Sequence, residues 1–572
     1  MAHHVLALAL ASTCSLATAL STPQVLPRAA SPCAGNTPTT RSQWCDFSID
    51  TDYHTVVPDT GVTREYWLEL SSVQVAPDGR QRSAMAINGS IPGPTLIADW
   101  GDNVIVHVTN NLDPASNNGT SMHFHGIRQN YTNENDGVTA ITQCPTPPGS
   151  TVTYKWRATQ YGSSWYHSHW ALQAWQGMLG GLVINGPATQ NYDEDLGMLF
   201  LNDWDIQTVD ELYHEAEASG PPTLDQGLLN GTNVYTSSDN QTTGHRWNTT
   251  FTEGKSYRIR LVNGAIDTHW KFSIDNHTLT VIGSDFVPIK PYTTNFVSIG
   301  MGQRYDVIVT ANQAATADAF WVRAIPQSAC SGNSNANNIR GIVYYGQASD
   351  QIPTTAGHDY DDSCDDEDPA NLIPHVAKNV GASTWADTQT ASVSFNTENL
   401  FRWYLNTTTM LVDWKNPTVM QVASGNTSVF ESSNAVMVLD KPDEWIYLAI
   451  QTTLAVPHPI HLHGHDFYVL AQGEGDYQPG TTALNLANPP RRDTAMLPAS
   501  GHLVIAFQTD NPGAWLMHCH IGWHTSEGFA MQFVERQSEM LGLMDQAALE
   551  SSCSAWASYQ TTNRVLQEDS GI

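Results

Sequence analysis

TDNPGAWLMHCHIGWHTSEGF, residues 509–529, holds a histidine–cysteine–histidine triplet at 518–520 and a further histidine at 524. On a β-strand alternate side chains point to opposite faces, so His518 and His520 share one face and Cys519 takes the other. One thiolate can then ligate a metal on its own side while its two neighbours ligate different metals behind it. Consecutive Cα atoms lie about 3.8 Å apart, so the covalent route between two such sites is a single residue step. That wiring suits one-electron transfer from an outer site to a buried cluster.

The wider chain repeats the His-x-His unit. With 22 histidines in 572 residues, about one such pair arises by chance. The sequence holds His123/His125, His167/His169, His461/His463 and His518/His520, besides the overlapping His463/His465. These fall into two matching sets. Trp165-Tyr166-His167-Ser168-His169 precedes a glycine-rich apolar run to Ile184, and Trp515-Leu516-Met517-His518-Cys519-His520 precedes Gly528 to Val534. Upstream of each lies His123-Phe124-His125-Gly126 or His461-Leu462-His463-Gly464. The pattern reads as an internal duplication in which Ser168 stands where Cys519 stands. The middle of the chain has no such pair and reads as a spacer or wall.

Period-two spacing lets four strands project these imidazoles into one cavity. Imidazole suits copper, zinc, iron or nickel. The eight side chains of the four pairs exceed the needs of one tetrahedral zinc, which implies a multinuclear site. Parity isolates a second site. His458 is an odd step from His461 and His463, so it faces away from them, as Cys519 faces away from His518 and His520. His524 lies a short turn further on. His458, Cys519 and His524 make the trigonal two-His, one-Cys set of a blue-copper centre. Phe529 falls at the axial position, with Met531 two residues on; a non-coordinating Phe favours Cu(I) and a high reduction potential.

Length and composition bound the rest. A chain of 572 residues exceeds one hydrophobic core and suggests about three or four domains. Acids outnumber bases 56 to 25, a formal charge of −31, so neither nucleic acid nor an anionic membrane is an expected partner. An apolar run from Val5 to Ala19, ending in Ala17-Thr18-Ala19, predicts a secretory signal peptide over 1–19, although no Lys or Arg precedes it. Residues 20–32 then read as a propeptide. No later stretch approaches ~18 uninterrupted apolar residues, so no transmembrane helix is expected. Sequons at Asn88, Asn118, Asn130, Asn230, Asn240, Asn248, Asn276, Asn406 and Asn426 fit a secreted, extracellular glycoprotein.

Of the cysteines, Cys14 leaves with the signal and Cys519 sits among the histidines. Cys33, Cys45, Cys144, Cys330, Cys364 and Cys553 form an even set suited to an oxidising compartment, with fifteen pairings open to them. Cys33–Cys45 makes a local loop and Cys330–Cys364 bracket an irregular stretch, a choice that leaves Cys144–Cys553. Short alternating or β-branched runs at Asn103–Thr109, Thr151–Arg157, Ser256–Leu261, Tyr305–Thr310 and Leu503–Thr509, separated by turn clusters, predict an all-β chain of sandwiches or Greek-key barrels. Helical signal is modest, with its best case in the acidic, alanine-rich stretch near Met540–Trp556. Loop-like stretches at Asn185–Asp195 and Gln351–Pro374 suggest boundaries. The acidic run in the latter (Asp361, Asp362, Asp365, Asp366, Glu367, Asp368) reads as a solvated linker without function.

The segments HFHG, WYHSHW, HPIHLHGHDF and HCHIGWHTSEGF resemble the multicopper oxidases, and among them the ascomycete fungal laccases, over essentially the whole mature chain. ADWGD (98–102), NPPRRDT (488–494), TDNPGAWLMHCH (509–520) and DSGI (569–572) strengthen the resemblance. It implies three cupredoxin-like domains, over 33–188, 189–370 and 371–572, and four copper ions: one type 1, one type 2 and two type 3. His123 and His461 would hold the type 2 ion. His125, His167 and His520 would hold one type 3 ion, and His169, His463 and His518 the other.

The same resemblance implies roles for two acids. Asp136 would be the carboxylate beside the trinuclear site, where O2 reduction needs protons. Asp267 would stand near the type 1 copper as acceptor of the donor's proton. Phe401, Trp403, Trp523 and His524 would line the donor pocket. The implied activity is that of a secreted laccase, a monomer oxidising phenolic or aromatic-amine donors with O2. Its rivals are an oxidase of ascorbate, bilirubin or Fe(II), and a copper carrier without turnover, for which His458, Cys519 and His524 alone would suffice. The last residues, DSGI, resemble a family terminus that can plug the channel to the cluster; as an ordinary terminus they would be frayed.

Overall fold

The computed structural model describes residues 33–114, 118–346, 351–425 and 430–572. The expected signal peptide (1–19), the propeptide (20–32) and the sequon at Asn426 lie outside the described residues. Alternation builds the strands. Along Asn103–Asn111, Val104, Val106 and Val108 are buried while Asn103, Ile105, His107 and Thr109 face outward, the period of two that a half-buried strand requires. The other predicted strands are present as Thr151–Arg157, Ser256–Asn263, Arg304–Thr310 and Gly501–Gln508.

The strands form three pairs of sheets on one plan. In each, the first long strand pairs in parallel with a later one: Thr63–Val75 with Asn103–Asn111, Glu194–Trp204 with Ser256–Asn263, and Trp385–Phe395 with Trp445–Thr452. That later strand then runs antiparallel to Thr151–Arg157, Arg304–Thr310 or Gly501–Gln508. These are three cupredoxin-like units of an all-β fold. The middle unit, which lacks histidine pairs, is therefore a third copy of the plan and not merely a spacer.

A shared turn marks the repeat. Asn88, Asn230 and Asn406 adopt positive φ (52°, 46° and 53°), a conformation Asn tolerates. Each side-chain oxygen accepts from a backbone N–H of the neighbouring strand, at Glu69 (2.7 Å), Phe200 (2.7 Å) and Thr390 (2.9 Å). All three are sequon asparagines.

The first unit has its own core around Leu70, Trp100 and Tyr166. The other two share one, in which Ile266, Met301 and Tyr305 join the same cluster as Ile460, Met517 and Phe529. A smaller cluster seams the first unit to the last through Val138, Ile141, Trp170, Trp414, Leu516 and Trp556.

Two expectations change. The acidic loop is not wholly solvated. Asp366 accepts from the Met496 N–H (2.8 Å) and Gln472 Nε2 (2.7 Å) and lies 3.3 Å from Arg492, while Glu367 accepts from the Ser298 N–H (2.7 Å) and the Tyr292 hydroxyl (2.8 Å). It therefore clamps the second unit to the third. The C-terminal helix is two, Gln537–Leu543 and Gln546–Asn563, broken where Asp545 caps the second by accepting from the Ala548 N–H, a strong N-terminal signal. Among the described residues no helix is long and apolar enough to cross a membrane.

The disulfides are Cys33–Cys45, Cys330–Cys364 and Cys144–Cys553, the last closing a sequence separation of 409 residues. It ties the buried face of Gln546–Asn563, Cys553 and Trp556, to the first unit. Cys553→Ser is expected to cost about 2–5 kcal/mol in unfolding free energy. Amide exchange in 546–563 should rise before that of any strand; unchanged exchange there would show that the bridge does not hold this helix.

Candidate metal centre

Four strands bring the histidine pairs together. His123–Phe124 pairs antiparallel with Gly162–His167, setting His123 opposite His167. His458–Leu462 pairs antiparallel with Gly513–Cys519, setting His461 opposite His518 and Ile460 opposite Cys519. Only the first member of each pair lies within a strand; His125, His169, His463 and His520 follow just beyond the strand ends. The ladder nevertheless continues, because the N–H groups of His125, His463 and His520 donate to Trp165, Leu516 and Pro459 at 3.0, 2.9 and 2.7 Å. Alternation therefore survives past the strands.

The ring nitrogens converge in buried triads: His123/His125/His461, His125/His167/His520 and His169/His463/His518, each within 4.8 Å. On six of the rings the opposite nitrogen is anchored. Nδ1 of His123 and of His461 donates to the carbonyl of Asp136 and of Asp493, both at 2.7 Å, and Nδ1 of His463 to the Asp136 carboxylate at 2.9 Å. Nδ1 of His167 and His518 donates to the carbonyl of the following residue, at 3.0 and 2.9 Å. His125 is reversed: its Nε2 meets Asp493 at 3.2 Å.

What remains is a set of nitrogens without partners, Nε2 of His123, His167, His461, His463 and His518, Nδ1 of His125 and both ring nitrogens of His520. A buried polar atom left unmatched costs about 1–3 kcal/mol, so this convergence calls for a ligand. Burial, reinforced by neighbouring imidazoles, holds His125, His167, His169, His461, His463 and His520 well below the usual histidine pKa, and burial brings His518 to about 4. The rings are neutral and offer lone pairs, the state in which imidazole binds a metal.

On the opposite side of the last strand pair, His458, Cys519 and His524 form a separate buried group. Cys519 Sγ lies 4.0 Å from His458 Nδ1 and 3.6 Å from His524 Nδ1. Burial pushes the thiol pKa up, so a metal must displace its proton. The short helix Gly522–Ser526 turns His524 back toward the sulfur. Phe529, 1 % exposed, packs its ring 5.3 Å from His458. Trp403 stacks on Phe529 at 5.0 Å and lies 4.3 Å from the His524 ring. Two imidazoles and a thiol beside an imidazole cluster is a donor set that fits copper.

The remaining expected residues take defined places. Asp136 is fully buried between His123 and His463. Asp267 is 7 % exposed, on a loop whose N–H groups at Ile266, Asp267 and Thr268 all donate to Asp203. Phe401 is half-buried and stacks on exposed Phe395. Trp523 is 0 % exposed. The DSGI segment is not frayed: Ser570 and Ile572 are buried, and the Gly571 carbonyl accepts from Trp414 Nε1 at 3.1 Å.

The sequence reading missed three residues. Asp493 contacts His125 and His461 and pairs with Arg304, Nη1 to Oδ1 at 2.6 Å; its signal was the charged tripeptide within NPPRRDT. Gly302, from the middle unit, has φ 84°, and a Cβ there would lie 2.9 Å from the His520 ring. Glu527, 3 % exposed, accepts from Trp403 Nε1 at 3.0 Å, and no spacing pointed to it.

Models of the multicopper oxidase family match residues 69–189, 195–348 and 411–539. Laccase-2 of Botryotinia fuckeliana is 50% identical over 551 residues, 94% of this chain and 93% of that one. The laccase of Neurospora crassa is 39% identical, with 94% and 89% covered. Among solved structures, the laccase from Botrytis aclada gives a TM-score of 0.90 at 47% identity, covering 94% of this chain and 100% of that one. Fet3p, a multicopper oxidase that functions in iron import, gives 0.77 at 26% identity, covering 88% and 96%. Copper is the metal such sites imply. Matches along all three units, to relatives spanned nearly end to end, make this chain a member of the multicopper oxidase family, on its laccase side.

Proposed function

We propose that this chain is a secreted, monomeric laccase that oxidises phenolic or aromatic-amine donors with O2. A signal peptide (1–19) and propeptide (20–32) precede domains over 33–188, 189–370 and 371–572. The observation that carries the reading is the position of His518 and Cys519, adjacent on one buried strand yet belonging to different metal-binding groups. His458, Cys519 and His524 would hold a type 1 copper, with Phe529, packed against His458, beside them as a non-ligand. His123 and His461 would hold a type 2 copper; His125, His167 and His520 would hold one type 3 copper, and His169, His463 and His518 the other. Copper bound there supplies one-electron oxidation at the first site and four-electron reduction of O2 to water at the cluster.

The chain's own residues bind, orient and move protons. Asp136 Oδ2 holds His463, and its other oxygen, 3.3 Å from His123 Nδ1, has no hydrogen-bond partner. That free oxygen is a place to hold a proton needed for water formation. At the donor side, the His524 edge, Phe401 and Trp403 line the pocket, with Trp523 behind them. Asp267 accepts the donor's proton. Burial, then the charges of Asp203 and Glu527, raise its pKa well above the usual carboxylate range, so once ionised it is a stronger base than a surface Asp.

Metal analysis is expected to give about four coppers per chain with an intense blue absorption from the thiolate-bound ion; one copper or none would overturn the reading. Asp267→Asn should lower kcat/KM for phenols about a hundredfold while sparing a donor that loses no proton, such as ferrocyanide. Because the Asp267 pKa is raised, the wild-type phenol rate should climb with pH as the carboxyl ionises, and the variant should lack that limb. Equal losses with both donors would remove Asp267 from this role.

Glu527 has a measurable signature of its own. Burial raises its pKa from 4.5 to about 8. A carboxyl raised on folding favours the folded state below its unfolded value and loses that contribution as pH rises through the folded one. Stability should therefore fall between about pH 4.5 and 8, and Glu527→Gln should flatten that slope in melting temperature. A slope identical to wild type would show that Glu527 ionises normally.

A further inference from the structure

The turn after the cysteine carries more than His524. Thr525, 5 % exposed within Gly522–Ser526, turns its hydroxyl back onto the strand just left. Thr525 Oγ1 donates to the carbonyl oxygen of Cys519. That oxygen also accepts from His518 Nδ1 at 2.9 Å, and the same nitrogen lies 3.2 Å from Thr525 Oγ1. A carbonyl, an imidazole and a hydroxyl thus close a small hydrogen-bonded ring between the two metal-binding groups, in a setting where such bonds polarise one another. Ser570 secures it from outside: its hydroxyl donates to the Thr525 carbonyl at 2.9 Å and its N–H to the Ser526 carbonyl at 2.9 Å.

The first unit provides an internal comparison. His167 Nδ1 donates to the Ser168 carbonyl at 3.0 Å, the same bond that His518 makes to Cys519. The residue six places beyond Ser168 is Ala174, where Thr525 stands six places beyond Cys519. Alanine has no hydroxyl to offer. The clamp accompanies the copy that carries the thiol, and not the copy in which serine replaces it.

We propose that Thr525 is a positioning residue for electron passage, holding the His518 ring against the Cys519 carbonyl so that a hydrogen-bonded contact runs beside the covalent one. The inference rests on the laccase reading above. One electron crosses for each donor oxidised, and four crossings accompany O2 + 4 e⁻ + 4 H⁺ → 2 H2O. No bond to Thr525 forms or breaks. The hydroxyl acts by geometry, since the contact lengthens if the ring is free to turn.

The test compares Thr525→Val, which keeps the shape and loses the hydroxyl, with Thr525→Ser, which keeps the hydroxyl, both in the copper-loaded full chain. Copper content, the position of the blue band, donor KM, and the rate at which the band returns when reduced protein meets O2 are measured. T525V should slow that return about tenfold with copper, band and KM unchanged, and T525S should restore it. A wild-type rate in T525V, a shifted band or lost copper in T525V, or T525S as slow as T525V would each overturn the proposal. Should T525V not fold, Ser570→Ala, which loosens the clamp from outside, is expected to slow the return severalfold; no change overturns it. A wild-type protein without any blue band overturns the laccase reading itself, which is a different failure.

Discussion

Neighbouring residues on a strand cannot share a face, and Gly513–Cys519 is a strand buried on both faces. His518 therefore enters one buried site and Cys519 another, with no choice left to the side chains. The rest of the molecule makes both sides habitable. One side is an enclosure of neutral imidazoles that burial keeps from protonating. The other is an aromatic pocket of Trp403 and Phe529 around a thiol that burial keeps from ionising. Neither arrangement is comfortable without a metal, because unmatched nitrogens and a buried thiol both gain when one binds.

Holding that enclosure together takes a chain of buried charge across the units. Asp366 from the acidic loop lies 3.3 Å from Arg492; Arg492 pairs with Asp285 at 2.8 Å; Asp285 lies 3.3 Å from Arg304; and Arg304 grips Asp493, which touches His125. Alternating signs let each ion compensate the next, whereas a buried charge stripped of its partner costs about 3–5 kcal/mol. The middle unit supplies Arg304, Asp285 and Gly302 to this assembly. Among its described residues none joins the grouped imidazoles and thiol, but it forms part of the wall against which they rest.

Much of the site was legible because ligands announce themselves by type and spacing. The four His-x-His pairs, the odd step from His458 to His461, and the serine in place of cysteine all follow from local stereochemistry. The seam was not legible. Asp366, a member of a run of acids, looks like solvated charge until Met496, Gln472 and Arg492 close on it from more than a hundred residues away. Glu527 looks like part of a turn until Trp403, 124 residues earlier, covers it.

By itself the sequence determined which residue types meet a metal and which way alternate side chains turn. Both are properties of a few adjacent residues, settled by the pleat of a strand before any other strand arrives. Only the tertiary structure decided that the imidazoles of each triad come within reach of one another, that Asp493 braces two of them, and that Thr525 folds back on the Cys519 carbonyl. Those outcomes depend on burial and on contacts between distant parts of the chain. Parity can place His518 and Cys519 on opposite faces, but it cannot say what waits on either side.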